Sequence, residues 1–218
     1  NLFYPSIAFA GVPWKVDKTI ERLTSKGLME EVIVVGVHNT IARHFEYTWT
    51  EMKFKETAEG GGGNKYARFL AEELKPFIDK HYRTLKSKND TAIMGSSLGG
   101  LISFYLGIYY SDVFSKIGVI SPSFWWGYGA VFEDVKKLNP DLQIWMDMGT
   151  KEGICSCCKI EKNVHIANMR QMKGELEKRG YKEGHNLGYL EAKDALHNED
   201  SWAKRFHLPL LFFFGKKH

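Results

Sequence analysis

Two hydrophobic periods alternate along this chain. Val32-Ile33-Val34-Val35-Gly36-Val37 is a continuous, mostly β-branched run, the pattern of a strand buried on both faces. Shorter apolar runs at Thr91–Met94, Lys116–Ile120, Leu142–Met148 and Leu187–Ala192 are also predicted to be strands. Helical spacing falls between them. Asn64–Lys80 puts Tyr66, Phe69, Leu70, Leu74, Phe77 and Ile78 on one helical face. Asp17–Ser25, Leu98–Tyr110 and Asn163–Lys178 are predicted helices, and Ser201–Phe214 is a last one, bent or restarted at Pro209. Gly60-Gly61-Gly62-Gly63 is expected to be a flexible connection.

Repeated β-α-β units imply a mainly parallel central sheet with helices on both faces. The 218 residues suit one such α/β domain, and no composition shift marks a boundary, so residues 1–218 are expected to form a single domain. Ligand sites in such sheets lie at the carboxyl ends of the strands, so chemistry is sought in residues that follow strands.

Composition narrows the partners. Hydrophobic residues make up 44% and charged residues 26%, an ordinary globular balance. The net charge of +4 comes from Lys and Arg scattered among Asp and Glu, so no nucleic-acid partner is expected. The longest apolar run, Leu208–Phe214, is far short of the ~20 residues that span a bilayer, and no membrane partner is expected. The Gly215–His218 end reads as solvated. Cys155, Cys157 and Cys158 are odd in number and clustered, which is no disulfide framework. A metal site would need a fourth ligand, with His165 the candidate, and adjacent Cys157 and Cys158 rarely share one ion, so a loop is expected there rather than a metal site. The chain opens at Asn1 with no Met, and upstream sequence is expected to precede it, which leaves the compartment open.

Gly95-Ser96-Ser97-Leu98-Gly99 fits G-x-S-x-G between a predicted strand and a predicted helix. On such an elbow the central serine projects above the sheet, and flanking glycines let strand and helix approach closely. The helix N-terminus then aims N–H groups at developing negative charge. The register makes Ser97 the nucleophile rather than Ser96, with the Leu98 N–H as oxyanion donor.

A serine hydroxyl needs a general base, and the base needs an orienting carboxylate. His165, His185, His197, His207 and His218 all follow Ser97. Only His197 falls between the last predicted strand and the last helix. Two carboxylates lie near the end of the Leu142–Met148 strand: Asp147 within it, and Glu152 in the loop beyond. A loop position lets the carboxylate curl toward the imidazole, so Glu152 is favoured over Asp147.

Further runs carry a resemblance. These are Val35-Gly36-Val37-His38-Asn39, then Arg43 with Glu46-Tyr47-Thr48, Glu73-Leu74-Lys75-Pro76-Phe77-Ile78-Asp79 and Tyr82-Arg83-Thr84. Met94-Gly95-Ser96-Ser97-Leu98-Gly99-Gly100-Leu101, Ser121-Pro122-Ser123-Phe124-Trp125-Trp126, Gly149-Thr150-Lys151-Glu152 and His197-Asn198-Glu199 before Trp202 complete them. Over nearly its full length the chain resembles the serine esterases related to enterochelin esterase and to the feruloyl and acetylxylan esterases, of the α/β-hydrolase superfamily. The resemblance implies an α/β-hydrolase fold, a catalytic triad of Ser97, Glu152 and His197, and a small-molecule ester substrate, carbohydrate-linked or siderophore-type. The mycolyltransferases, similar in fold, also use a glutamate as the acid. No cofactor is required.

The chain departs from the family in two places. The family's other oxyanion donor follows an earlier strand, in a segment resembling His-Asp-Gly-Gln that would precede Asn1. The domain is therefore expected to be N-terminally incomplete, with Asn1 or Leu2 the nearest backbone; losing such a donor costs about 2.7–4 kcal/mol of transition-state stabilisation. The cysteine cluster, following Glu152, is the second departure.

For the substrate pocket, Trp125 and Trp126 follow a strand and are expected to wall the site, with His38 and Asn39 opposite. Arg43 either meets an anionic substrate or pairs with Glu46 as a clamp, the latter preferred. Ester hydrolysis through an acyl-enzyme is the leading expectation. Acyl transfer on the same triad, or a non-catalytic carbohydrate- or partner-binding module, are the alternatives.

Overall fold

A computed structural model describes residues 2–8, 11–54, 57–153 and 164–216. Asn1, the Cys155, Cys157 and Cys158 cluster and the last two residues lie outside them. Strands run at β1 (Glu51–Phe54), β2 (Thr57–Gly60), β3 (Ala92–Ser96), β4 (Lys116–Ile120), β5 (Gln143–Gly149) and β6 (Leu187–Ala192). The helices are α1 (Val16–Ser25), α2 (Arg43–Tyr47), α3 (Gly63–Arg68), α4 (Lys75–His81), α5 (Leu98–Tyr109), α6 (Val131–Asp134), α7 (Val164–Lys178), α8 (Glu199–Arg205) and α9 (His207–Phe214).

β3, β4, β5 and β6 form a parallel sheet in that order, with helices packed about it. Strand alternation divides its side chains between two apolar clusters. Ile117 and Val119 join the larger cluster, with α5 and with Met169, Met172 and Leu176 of α7. Ile120 points the other way, into a cluster with Val16 and Leu23 of α1 and Trp202, Phe206 and Leu210 of α8 and α9. α5 is apolar all round because it is buried on nearly every side, from Leu98 to Ile108.

Four expectations change. The Val32–Val37 run forms no strand. Among the described residues its backbone joins no ladder, and Ile33, Val34 and Val35 are exposed while Val32 and Val37 pack against the two clusters. A β-branched run favours a strand only where a neighbour completes the hydrogen bonds.

The Asn64–Lys80 helix exists but is interrupted. Phe69–Leu74 is a wide π-type turn between α3 and α4, just before Pro76. Proline has no N–H to give the preceding turn, and a widened turn absorbs that mismatch. It also breaks the even face: Phe69 and Phe77 are exposed.

The glycine tract is packed rather than flexible. β1 and β2 form an antiparallel hairpin, absent from the sequence reading, that ends on Gly60. Gly60 and Gly61 have φ of 96° and 85°, and a side chain on Gly60 would strike Thr48 and Trp126. The tract is glycine because the chain turns left-handed against neighbours.

The last helix restarts at Phe206. Pro209 therefore sits in the first turn of α9, where its missing N–H costs nothing.

Candidate active site

Ser97 lies between β3 and α5 with φ 58° and ψ −124°, a backbone conformation sterically disfavoured for an L-residue. Close packing holds it. A Cβ on Gly95 would come within 2.5 Å of the Gly99 backbone, so strand and helix meet where neither has a side chain. The Ser97 N–H donates to the Ile120 carbonyl at 3.0 Å, and its own carbonyl accepts from Leu101 and Ser123, each at 3.1 Å. Leu98 opens α5, and no acceptor takes its N–H among the described residues.

Glu152 curls back from the loop after β5 and is 5% exposed. Its Oε2 lies 2.8 Å from His197 Nδ1. Its Oε1 accepts from the Gly149 N–H at 2.7 Å and from the Ser121 hydroxyl. Burial works to raise the Glu152 pKa, but the His197 hydrogen bond and charge, with the Ser121 and Gly149 donors, bring it below the ordinary glutamate value. His197 immediately precedes Asn198, whose side chain caps α8 by accepting from the Ser201 N–H at 2.9 Å. The imidazole stands edge-on to Trp202, with ring centres 5.0 Å apart.

Asp147, the other carboxylate weighed from sequence, is fully buried and already used. Its Oδ1 accepts from Arg205 Nε at 2.7 Å and its Oδ2 from Trp145 Nε1 at 2.9 Å. Burial pushes its carboxyl up, opposed by the Arg205 guanidinium and the Trp145 N–H. Among the described residues neither oxygen is hydrogen-bonded to an imidazole.

The structure thus joins Glu152 to His197 and gives Ser97 a different partner. The Ser97 hydroxyl is 3.3 Å from that of Ser123, and among the described residues it shares no hydrogen bond with His197. The loops are nonetheless neighbours. Ser96 pairs with Ile120 in the sheet and Ile120 with Asp147, so Ser97, Ser121 and Glu152 follow adjacent strands.

The pocket residues separate. Trp125 is half-buried and edge-on to His165 at 6.4 Å, and His165 is 6.1 Å from His197, a row of rings beside the imidazole. Trp126 is 3% exposed and donates its indole N–H to the Thr50 carbonyl at 2.8 Å; it packs the β1–β2 hairpin rather than walling a pocket. His38 and Asn39 are exposed, and among the described residues neither shares a hydrogen bond with Ser97, Glu152 or His197. Arg43 does not clamp Glu46. Its guanidinium lies over the Tyr47 ring at 5.5 Å, and Glu46 instead accepts from the Thr40 N–H at 2.9 Å. Burial lowers the Arg43 pKa, opposed by Tyr47 and Glu199. Tyr47 in turn packs on Tyr66, and Trp49 stacks on Tyr105 and Tyr109.

Sequence reasoning assigned no role to Ser121, Ser123 or Arg205, and weighed His165 only as an alternative base or metal ligand. Ser121 carried a usable signal: it directly follows a strand that neighbours the elbow.

Comparison with known proteins gives the family. The family model described as "Putative esterase" matches residues 13–213. YbbA of Bacillus subtilis (strain 168) is 25% identical over 191 residues, 86% of this chain and 75% of that protein. The ferri-bacillibactin esterase BesA of the same organism is 29% identical over 126 residues, 51% of this chain and 43% of BesA. The crystal structure of the enterobactin esterase FES from Shigella flexneri, in the presence of enterobactin, superposes with a TM-score of 0.69 at 16% identity, covering 88% of this chain and 44% of that one. The chain therefore spans three quarters of YbbA and less than half of BesA and FES. With a family match along nearly its whole length and a parallel sheet carrying a serine elbow, the chain belongs to this esterase family, carboxylic ester hydrolases of the α/β-hydrolase type.

Proposed function

We propose that this protein hydrolyses a small-molecule carboxylic ester through an acyl-enzyme on Ser97. The observation that carries this reading is the hydrogen bond of 2.8 Å between Glu152 and His197, on a loop neighbouring a strained serine elbow. On substrate binding, the Ser97 hydroxyl exchanges Ser123 for His197; catalytic hydrogen bonds commonly tighten only in the complex. Ser97 attacks the carbonyl carbon while His197 takes its proton. Glu152 holds the imidazole in the tautomer with hydrogen on Nδ1 and stabilises its charged form. The Leu98 N–H, at the positive end of α5, receives the oxyanion. The tetrahedral intermediate expels the alcohol, which takes the proton from His197, and water then releases the acid by the same steps.

BesA and FES, by their names, act on siderophore esters, and another solved relative is a ferulic acid esterase. The substrate class we favour is accordingly a siderophore-type or carbohydrate-linked acyl ester, with Trp125 against its ring. Reaction with a fluorophosphonate, followed by peptide mass mapping, tests the mechanism. An adduct on Ser97 supports it; wild-type protein without an adduct there removes it.

A further inference from the structure

Four buried side chains around Glu152 have no step in the reaction just written: Ser121, Asp147, Trp202 and Arg205. The Ser121 hydroxyl receives Trp202 Nε1 at 2.8 Å and Arg205 Nη2 at 2.7 Å. An indole N–H and a guanidinium can only donate. Both lone pairs of Ser121 are then used, and its single hydrogen has Glu152 Oε1 as its acceptor. Counting donors and acceptors fixes the direction of every bond.

Oε1 also accepts from the Gly149 N–H and lies 3.4 Å from Arg205 Nη2, so three donors converge on it. Oε2 is left to His197. The guanidinium is itself anchored by Asp147 through Nε and by the Ser201 carbonyl through Nη1 at 3.0 Å. Ser121 is held at φ 44°, its N–H on the Asp147 carbonyl at 2.8 Å.

We propose that Arg205 is a positioning residue that acts through Ser121, pinning Oε1 of Glu152 so that only Oε2 is presented to His197. The proposal rests on the reading of Ser97, Glu152 and His197 as a triad. Its physical basis is the freedom of a glutamate: two equivalent oxygens on a rotatable stem present no fixed acceptor until one is held. A buried guanidinium also favours the ionised carboxylate. The charged and titratable groups facing Glu152 are His197 from the loop after β6, Arg205 from α8, Asp147 from β5 and His165 from α7.

The test compares wild type with Ser121→Ala, Arg205→Lys and the double variant Asp147→Asn/Arg205→Met, which strands no buried carboxylate. Two quantities are read: kcat and KM on 4-nitrophenyl acetate, and the titration of the Glu152 carboxyl carbon by ¹³C NMR. Ser121→Ala and the double variant are expected to lower kcat on the order of ten- to a hundred-fold with KM within about twofold, as misplacement does. The Glu152 titration moves to higher pH in both, and Arg205→Lys, which keeps the charge, recovers part of each loss. Folded variants with wild-type kcat, or with an unmoved Glu152 titration, overturn the proposal. The NMR titration needs no turnover. An inactive wild type whose Glu152 responds to Ser121→Ala counts against the hydrolase reading alone; an active wild type with an unresponsive Glu152 counts against the positioning role alone.

Discussion

Glu152 and His197 are 45 residues apart in the chain, and their side chains meet at 2.8 Å between Oε2 and Nδ1. Asp147 makes no such contact among the described residues; Arg205 and Trp145 donate to its two oxygens.

The two carboxylates should therefore fail differently. Glu152→Gln keeps the shape but presents the wrong partner to the imidazole, and kcat is expected to fall on the order of 10³–10⁴-fold. Asp147→Ala removes the nearer of the two carboxylates that face the buried Arg205 charge and should cost about 3–5 kcal/mol of stability. Urea denaturation and steady-state kinetics on both variants check this: Glu152→Gln should be the larger kinetic defect, and Asp147→Ala the larger stability defect with a smaller loss of kcat through Arg205.

Gly95→Ala places a methyl group 2.5 Å from the Gly99 backbone, where no flexible side chain can yield. Strand and helix must separate, at about 1–3 kcal/mol for overpacking. A melting temperature lowered by several degrees, with kcat reduced as the elbow shifts, is the expected outcome.

Stability should decline as the solution is acidified, in two stages. His165 is 8% exposed, its Nδ1 has no hydrogen-bond partner among the described residues, and burial holds its imidazole below the ordinary histidine value of 6.5. Below about pH 6.5 the unfolded chain takes up a proton that the folded chain refuses, so stability falls with pH from there. Glu152, depressed below its ordinary 4.5, stabilises the fold above that pH, and its contribution is lost as pH falls through its folded value. Denaturation of His165→Asn between pH 7 and 5 should show a flatter profile than wild type.

Much of this was legible in the sequence, for physical reasons that also explain the rest. Strands such as Lys116–Ile120 are buried, so their apolar runs predict them well. The strained turn at Ser97 beside Gly95 was readable because an elbow needs close backbone approach, and the meeting of Glu152 with His197 because each lies in a loop after a strand of the sheet. Val32–Val37 misled because its composition favours a strand that only a neighbour could complete. Trp126 misled because position after a strand does not distinguish a pocket wall from the support of a hairpin. Ser121 and Arg205 stayed hidden because their roles arise from three segments meeting: no spacing along the chain brings positions 121, 152 and 205 together.

The most direct measurement is turnover of a short-chain aryl ester such as 4-nitrophenyl acetate by wild type and by Ser97→Ala. Hydrolysis by wild type and a loss to background in Ser97→Ala are the expected results. Equal turnover by the two proteins would contradict the proposed mechanism.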